Sequence, residues 1–80
     1  MTDIWDRPVE VTIDSGDHFK AVHDSREALE ALMTRWPETK GGSYSVARKS
    51  CLGSLHGKTP NNVAAEAFEI AAKEAGILRR

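Results

Sequence analysis

The sequence predicts an α+β domain in the order β-β-α-α-α, an N-terminal β-hairpin packed against three helices. Three observations carry that expectation. Two short runs alternate apolar and polar residues on either side of a turn-forming "DSGD". Beyond Asp24 the apolar spacing changes to the three-to-four repeat of helices. Prolines and glycines then cut the helical part into three segments.

The first strand is "VEVTI", residues 9–13, whose period of two marks a half-buried strand. Pro8 before it fixes a backbone angle suited to an extended start. "DSGD", residues 14–17, supplies aspartate and glycine for a turn, and "HFKAVH", residues 18–23, returns. A three-residue loop of Asp14, Ser15 and Gly16 sets Val11 opposite Phe19 and Val9 opposite Ala21. It gathers Val9, Val11, Ile13, Phe19 and Ala21 on one face. A four-residue loop instead pairs Val9 with Val22 and turns Phe19 to the other face. The three-residue loop is preferred.

In "DSREALEALMTRW", Asp24 or Ser25 caps a helix and Glu27 completes a capping box with Asp24. Leu29, Leu32 and Trp36 share a face, with Ala28 and Met33 at its edges, and Pro37 ends the helix. "PETKGG" links to a second helix, capped by Ser43 and running to about Leu55. Tyr44, Ala47, Cys51 and Leu55 form its apolar stripe, with Leu52 beside it, and Gly57 ends it. Thr59 caps a third helix, with Pro60 in its first position. Val63, Ala64, Ala67, Phe68, Ala71 and Ala75 line that helix, and Gly76 stops it with Ile77 folding back.

The 80 residues make one domain with a small core. One cysteine permits no internal disulfide. Nothing near the amino terminus reads as a signal peptide, and no run approaches a membrane span. The expected setting is the reducing cytoplasm. The net charge is −1, but residues 1–40 carry 5 cations against 9 carboxylates and residues 41–80 carry 6 against 3. That asymmetry points to a partner of defined sign or to head-to-tail association.

Several marks occur together and in order: Trp5 before "PV", "SREALEAL", "WP" followed by glycine, Tyr44 followed by Ala47, then Cys51, Gly57 and the ending "AAEAFEIAAKEAGI". On these the chain resembles a small bacterial family known as domain of unknown function 982. The resemblance runs from Trp5 to Ile77. It implies a compact α+β domain and carries over no catalytic residue.

The residues offer little chemistry beyond that. Cys51 sits in the middle of an apolar stripe, and His56 lies about 140° further round the same helix, so no thiolate pair forms. His18 and His23 fall on opposite sides of a strand, and Asp14 and Asp17 lack the oxygens of a calcium loop, so no metal site is expected. Ser45, Ser50 and Ser54 lie off the apolar stripe and read as solvated. Gly53 lies opposite that stripe near Val46, where it would either admit a second chain or stand as a tolerated helix defect. A helix-turn-helix reading for nucleic acid meets Glu66 and Glu69 on the exposed side of the third helix, where they would repel phosphate.

One stretch, "KGGSYSVARKSCLGSLHGKTP" from Lys40 to Pro60, contains no carboxylate. Neither helix that starts within it has an acidic first turn, although a helix N-terminus favours negative charge. Gly41, Gly42 and Ser43 would donate backbone N–H groups to a small anion or phosphoryl ligand, with Lys40 or Arg48 supplying charge. "GKT" at residues 57–59 lacks the P-loop spacing, which excludes nucleotide hydrolysis of that type. The leading expectation is a non-enzymatic cytoplasmic module, without catalytic residues, metal or cofactor, that binds a protein partner or forms a homo-oligomer. The anion site is the alternative, and a nucleic-acid accessory role the weaker third.

Overall fold

The structure is a computed structural model that describes residues 4–13, 18–37 and 41–79. The predicted turn at 14–17, Lys40 with the rest of its loop, and the side chain of Ile13 lie outside the described residues. The order is β1 (Ile4–Ile13), β2 (His18–Asp24), α1 (Ser25–Thr34), α2 (Gly42–Leu55) and α3 (Asn61–Ala75). The predicted α+β class and β-β-α-α-α order are those of the structure.

The hairpin register corrects the preferred one. Val9 faces Val22, Val11 faces Lys20 and Thr12 faces Phe19, so four residues separate the strands. Register decides which β2 side chain joins Val9 and Val11 on the core side. In the observed register that is Val22, fully buried, while Phe19 is 55% exposed. The aromatic bulk of the core comes from elsewhere. Trp5 packs on Phe68 at 5.7 Å between ring centres, and Phe68 on Trp36 at 5.5 Å. Phe19 is instead covered by Arg79, whose guanidinium carbon lies 3.8 Å from the ring centre.

β1 begins five residues earlier than the alternation predicts, and the extension brings Trp5 into the core at 4% exposure. The pairing is irregular there. Between Ile4↔Asp24 and Val9↔Val22, β1 has four residues where β2 has one. The other edge of β1 meets the chain's own C-terminal segment. Thr12 donates its N–H to the Ile77 carbonyl at 2.8 Å, and Arg79 donates its N–H to the Glu10 carbonyl at 2.8 Å. Val11 and Leu78 form the antiparallel bridge between these bonds. That edge of β1 is therefore occupied over residues 10–12.

Asp24 caps α1, accepting from the Glu27 N–H at 2.8 Å. Glu27 reaches one residue further back than a capping box requires, accepting the His23 N–H at 2.8 Å. That backbone bond is the main reason its carboxyl is held below the usual range. Ala28, Ala31 and Leu32 form the buried face. α1 stops at Thr34, so Trp36 belongs to the following turn rather than to the helix stripe.

α2 and α3 both start off the predicted caps. Gly41 precedes α2 and Pro60 precedes α3, and neither helix has a side-chain cap. Ser43 is in the first turn of α2, and Thr59 is used differently, as described below. Both helices end on left-handed glycines, Gly57 at φ 75 and Gly76 at φ 77. Lys58 N–H reaches the Gly53 carbonyl at 2.8 Å and Ile77 N–H reaches that of Ala72 at 3.0 Å, the long bond of a Schellman motif in each case.

Beside Trp5, the largest core side chains are the fully buried Phe68, Leu32, Val11 and Val22, with many alanines between them. Cys51 is fully buried among them, as its place on the stripe predicts. Ser54 corrects its expected solvation, being 4% exposed. Trp5 Nε1–H donates to Ser25 Oγ at 3.3 Å, Ser25 to Ser54 Oγ at 2.8 Å, and Ser54 to Asn61 Oδ1 at 2.6 Å. This one-way chain ties β1, α1, α2 and α3 together. Among the described residues no helix is long and apolar enough to cross a membrane.

Gly53 is explained by the chain itself. A Cβ there would run into Thr59 Oγ1 and lie 3.2 Å from Thr59 Cβ. A mid-helix Gly→Ala change ordinarily stabilises by about 1 kcal/mol. Here crowding against Thr59 opposes it, at about 1–3 kcal/mol. Gly53→Ala should therefore give no gain or a loss in urea unfolding, and the gain should reappear when Thr59→Ala removes the hydroxyl.

Candidate functional site

The carboxylate-free stretch is the first place to look for a site. Gly41 is extended and exposed, and Gly42 opens α2. No acidic residue lies in the first turn of α2, as the sequence indicates. The structure nevertheless brings a carboxylate to that end from another helix. Ser43 N–H donates to Glu74 Oε1 at 3.2 Å. A Cβ on Gly41 would sit 2.5 Å from the same oxygen, so glycine is what lets the α3 carboxylate approach so closely. Ser43, one of the residues expected to donate to an external anion, thus meets an internal one.

Of the predicted anion-site residues, Gly41, Gly42 and Ser43 are together at this helix end, and Lys40 lies outside the described residues. Arg48 is exposed, but six residues on it sits about 9 Å along the axis and on another side of α2. Glu74 was not foreseen, because 31 residues separate it from Ser43 and nothing local marks the pair.

The other candidate groups are dispersed. The Cys51 thiol is buried, and burial pushes its pKa up to about 12. His23 is exposed, with Nδ1 3.4 Å from Glu27 Oε1. His56 is exposed at the end of α2. Among the described residues there is no group of three or more His, Cys, Asp or Glu placed to hold a metal ion.

Two surface concavities remain. One is a shallow groove of about 540 Å³ between α2 and α3, with Val46, Val63, Ala67 and Ile70 along it and Glu66 and Glu74 at its rim. Val46, Val63 and Ile70 are 57%, 42% and 51% exposed, so the groove is an open apolar face of the helical layer. Val63 was expected in the core. Its exposure follows from the rotation of α3, which turns Ala64, Ala67, Phe68, Ala71 and Ala72 inward. The other is a cleft of about 1080 Å³ between residues 4–10 of β1 and the first half of α3.

The comparisons with known proteins agree with the resemblance read from the sequence. The model of a family described as "Protein of unknown function (DUF982)" matches residues 7–79. No curated protein and no solved structure matches the chain.

Two measurements follow from the site geometry. Cys51 in the folded protein should resist a thiol-exchange reagent at pH 8, because almost none of it is thiolate there and none of it is accessible. Labelling should proceed only at the rate of unfolding, and rapid stoichiometric labelling of native protein would contradict the burial. Inorganic phosphate added to labelled wild type should leave the Gly42, Ser43 and Tyr44 amide signals without a saturable shift. Glu74→Gln should move the same signals, because it removes the charge that the Ser43 N–H meets.

Proposed function

The chain belongs to the DUF982 family, whose description assigns no activity, and we propose that it is a non-enzymatic module that binds another protein chain. The observation that carries this reading is the open apolar face of α2 and α3. Val46, Val63 and Ile70 stand exposed around Ala67, where a lone domain would gain by burying them. The deeply buried, fully protonated thiol of Cys51 supports a non-catalytic role.

The occupant this face fits is an amphipathic helix with apolar residues at i, i+4 and i+7. α3 presents that spacing itself in Val63, Ala67 and Ile70, so the partner assigned to the face is a second copy. Laid antiparallel on its copy about the small Ala67, α3 sets Val63 against Ile70 of the second copy. The same arrangement brings the Glu74 end of one helix beside Lys58 of the other, a pair of opposite charge. Placement in the cytoplasm of a bacterium belongs to this proposal. The anion reading keeps the N-terminus of α2 as its site, but Glu74 already answers the charge of that end.

Sedimentation velocity from low micromolar to near-millimolar protein tests the proposal. Wild type should associate reversibly, and Ile70→Lys should weaken the association about tenfold or more, equivalent to about 1.4 kcal/mol, with an unchanged circular dichroism spectrum. A wild type that stays monomeric throughout, and that captures no protein which Ile70→Lys fails to capture, would sink it.

A further inference from the structure

The cleft between β1 and α3 is predominantly acidic. Asp6, Glu10, Glu66 and Glu69 line it against the single cation Arg7, an excess of three negative charges. Its strand wall is the part of β1 least used by the sheet. Residues 5–8 face only one residue of β2. On the opposite edge, among the described residues, the C-terminal segment pairs with β1 only at residues 10–12. The open length, residues 4–9, spans about 20 Å at the usual strand rise.

The chain already demonstrates one way of filling such a place. Residues 77–79 lie extended and antiparallel on β1, and they stop at Glu10, where the cleft begins. Arg79 bonds there twice, its N–H to the Glu10 carbonyl at 2.8 Å and its Nε to the Glu10 carboxylate at 3.4 Å. Backbone pairing and an arginine–carboxylate contact therefore coincide on one residue. The same two elements, strand backbone and carboxylates, continue along the cleft toward Ile4, with Pro8 offering a carbonyl but no N–H.

We propose that this cleft binds an extended cationic segment of a partner protein, added antiparallel to β1 in line with residues 77–79. Backbone bonds to β1 hold the segment, and alternate arginine or lysine side chains meet Asp6, Glu66 and Glu69. The mode is strand addition between a sheet edge and a helix, in which main-chain bonds give affinity and alternate side chains give specificity. It uses a face different from the self-association surface and stands or falls separately from it.

The test uses the full chain carrying Ile70→Lys, so that self-association does not enter. The probe is a short acetylated and amidated peptide alternating arginine and valine, followed by fluorescence anisotropy and by amide NMR. Saturable binding is expected, with shifts confined to residues 4–10 and 61–69 and cross-strand contacts between peptide and β1. Asp6→Lys with Glu69→Lys, both exposed, should weaken it tenfold or more, and a glutamate–valine peptide should not bind. The proposal is overturned by an absence of saturable binding, or by shifts centred on α2. It is equally overturned if an arginine–glycine peptide binds as tightly without cross-strand contacts, since charge alone would then account for retention. If the double variant fails to fold, the contacts seen with the Ile70→Lys protein decide the matter.

Discussion

Everything in this small domain is indexed to one buried line of hydrogen bonds, from Trp5 through Ser25 and Ser54 to Asn61. Its members come from β1, the first residue of α1, the last turn of α2 and the first residue of α3. Alanine-rich helix faces slide on one another easily, because small side chains interlock weakly. A polar line does not slide. Each donor has one acceptor in the series, and leaving a buried polar group unpaired costs about 1–3 kcal/mol. No buried side-chain nitrogen or oxygen among the described residues lacks a partner, so the line is closed rather than half-satisfied. It sets where α2 ends and α3 begins, and the turn between them follows. Thr59 then lies over Gly53, and Gly57 takes the left-handed angle that lets the chain reverse.

That line also positions both outer surfaces. Trp5 holds the early part of β1 down on Phe68, leaving the β1 edge beside α3 as one wall of the cleft. The rotation of α3 that buries Phe68 and its alanines turns Val63 and Ile70 outward. The apolar face and the acidic cleft therefore lie on two sides of the same helix, and Glu66 stands on the ridge between them.

The elements of the fold were legible because each has a local cause. Alternation marked the strands, Asp24 marked the start of α1, and Gly57 and Gly76 marked the ends of α2 and α3. What was not legible has a non-local cause. Both hairpin registers keep β1 alternating, and the choice between Ala21 and Val22 depends on the helices above. Trp5 lies beyond the clean alternation, and residues 77–79 are too few to show a period. Ser54 reads as surface in any pattern based on polarity, yet it is buried because Ser25 and Asn61 come to meet it. The lack of carboxylates around the start of α2 is plain in the sequence, but the carboxylate that meets this helix end is not, because Glu74 arrives from α3.

The closing of β1 by residues 77–79 also orders events in time. The bond between Thr12 and Ile77 spans 65 positions, so the sheet is completed by residues synthesised after every element it joins. A chain emerging from the ribosome at about 5–20 residues per second carries β1 with that edge uncovered until the last of them appear. Edge strands are where unfolded chains find one another. Residues 77–79 are thus the seal of that edge, and the exposed interval ends only when they have emerged.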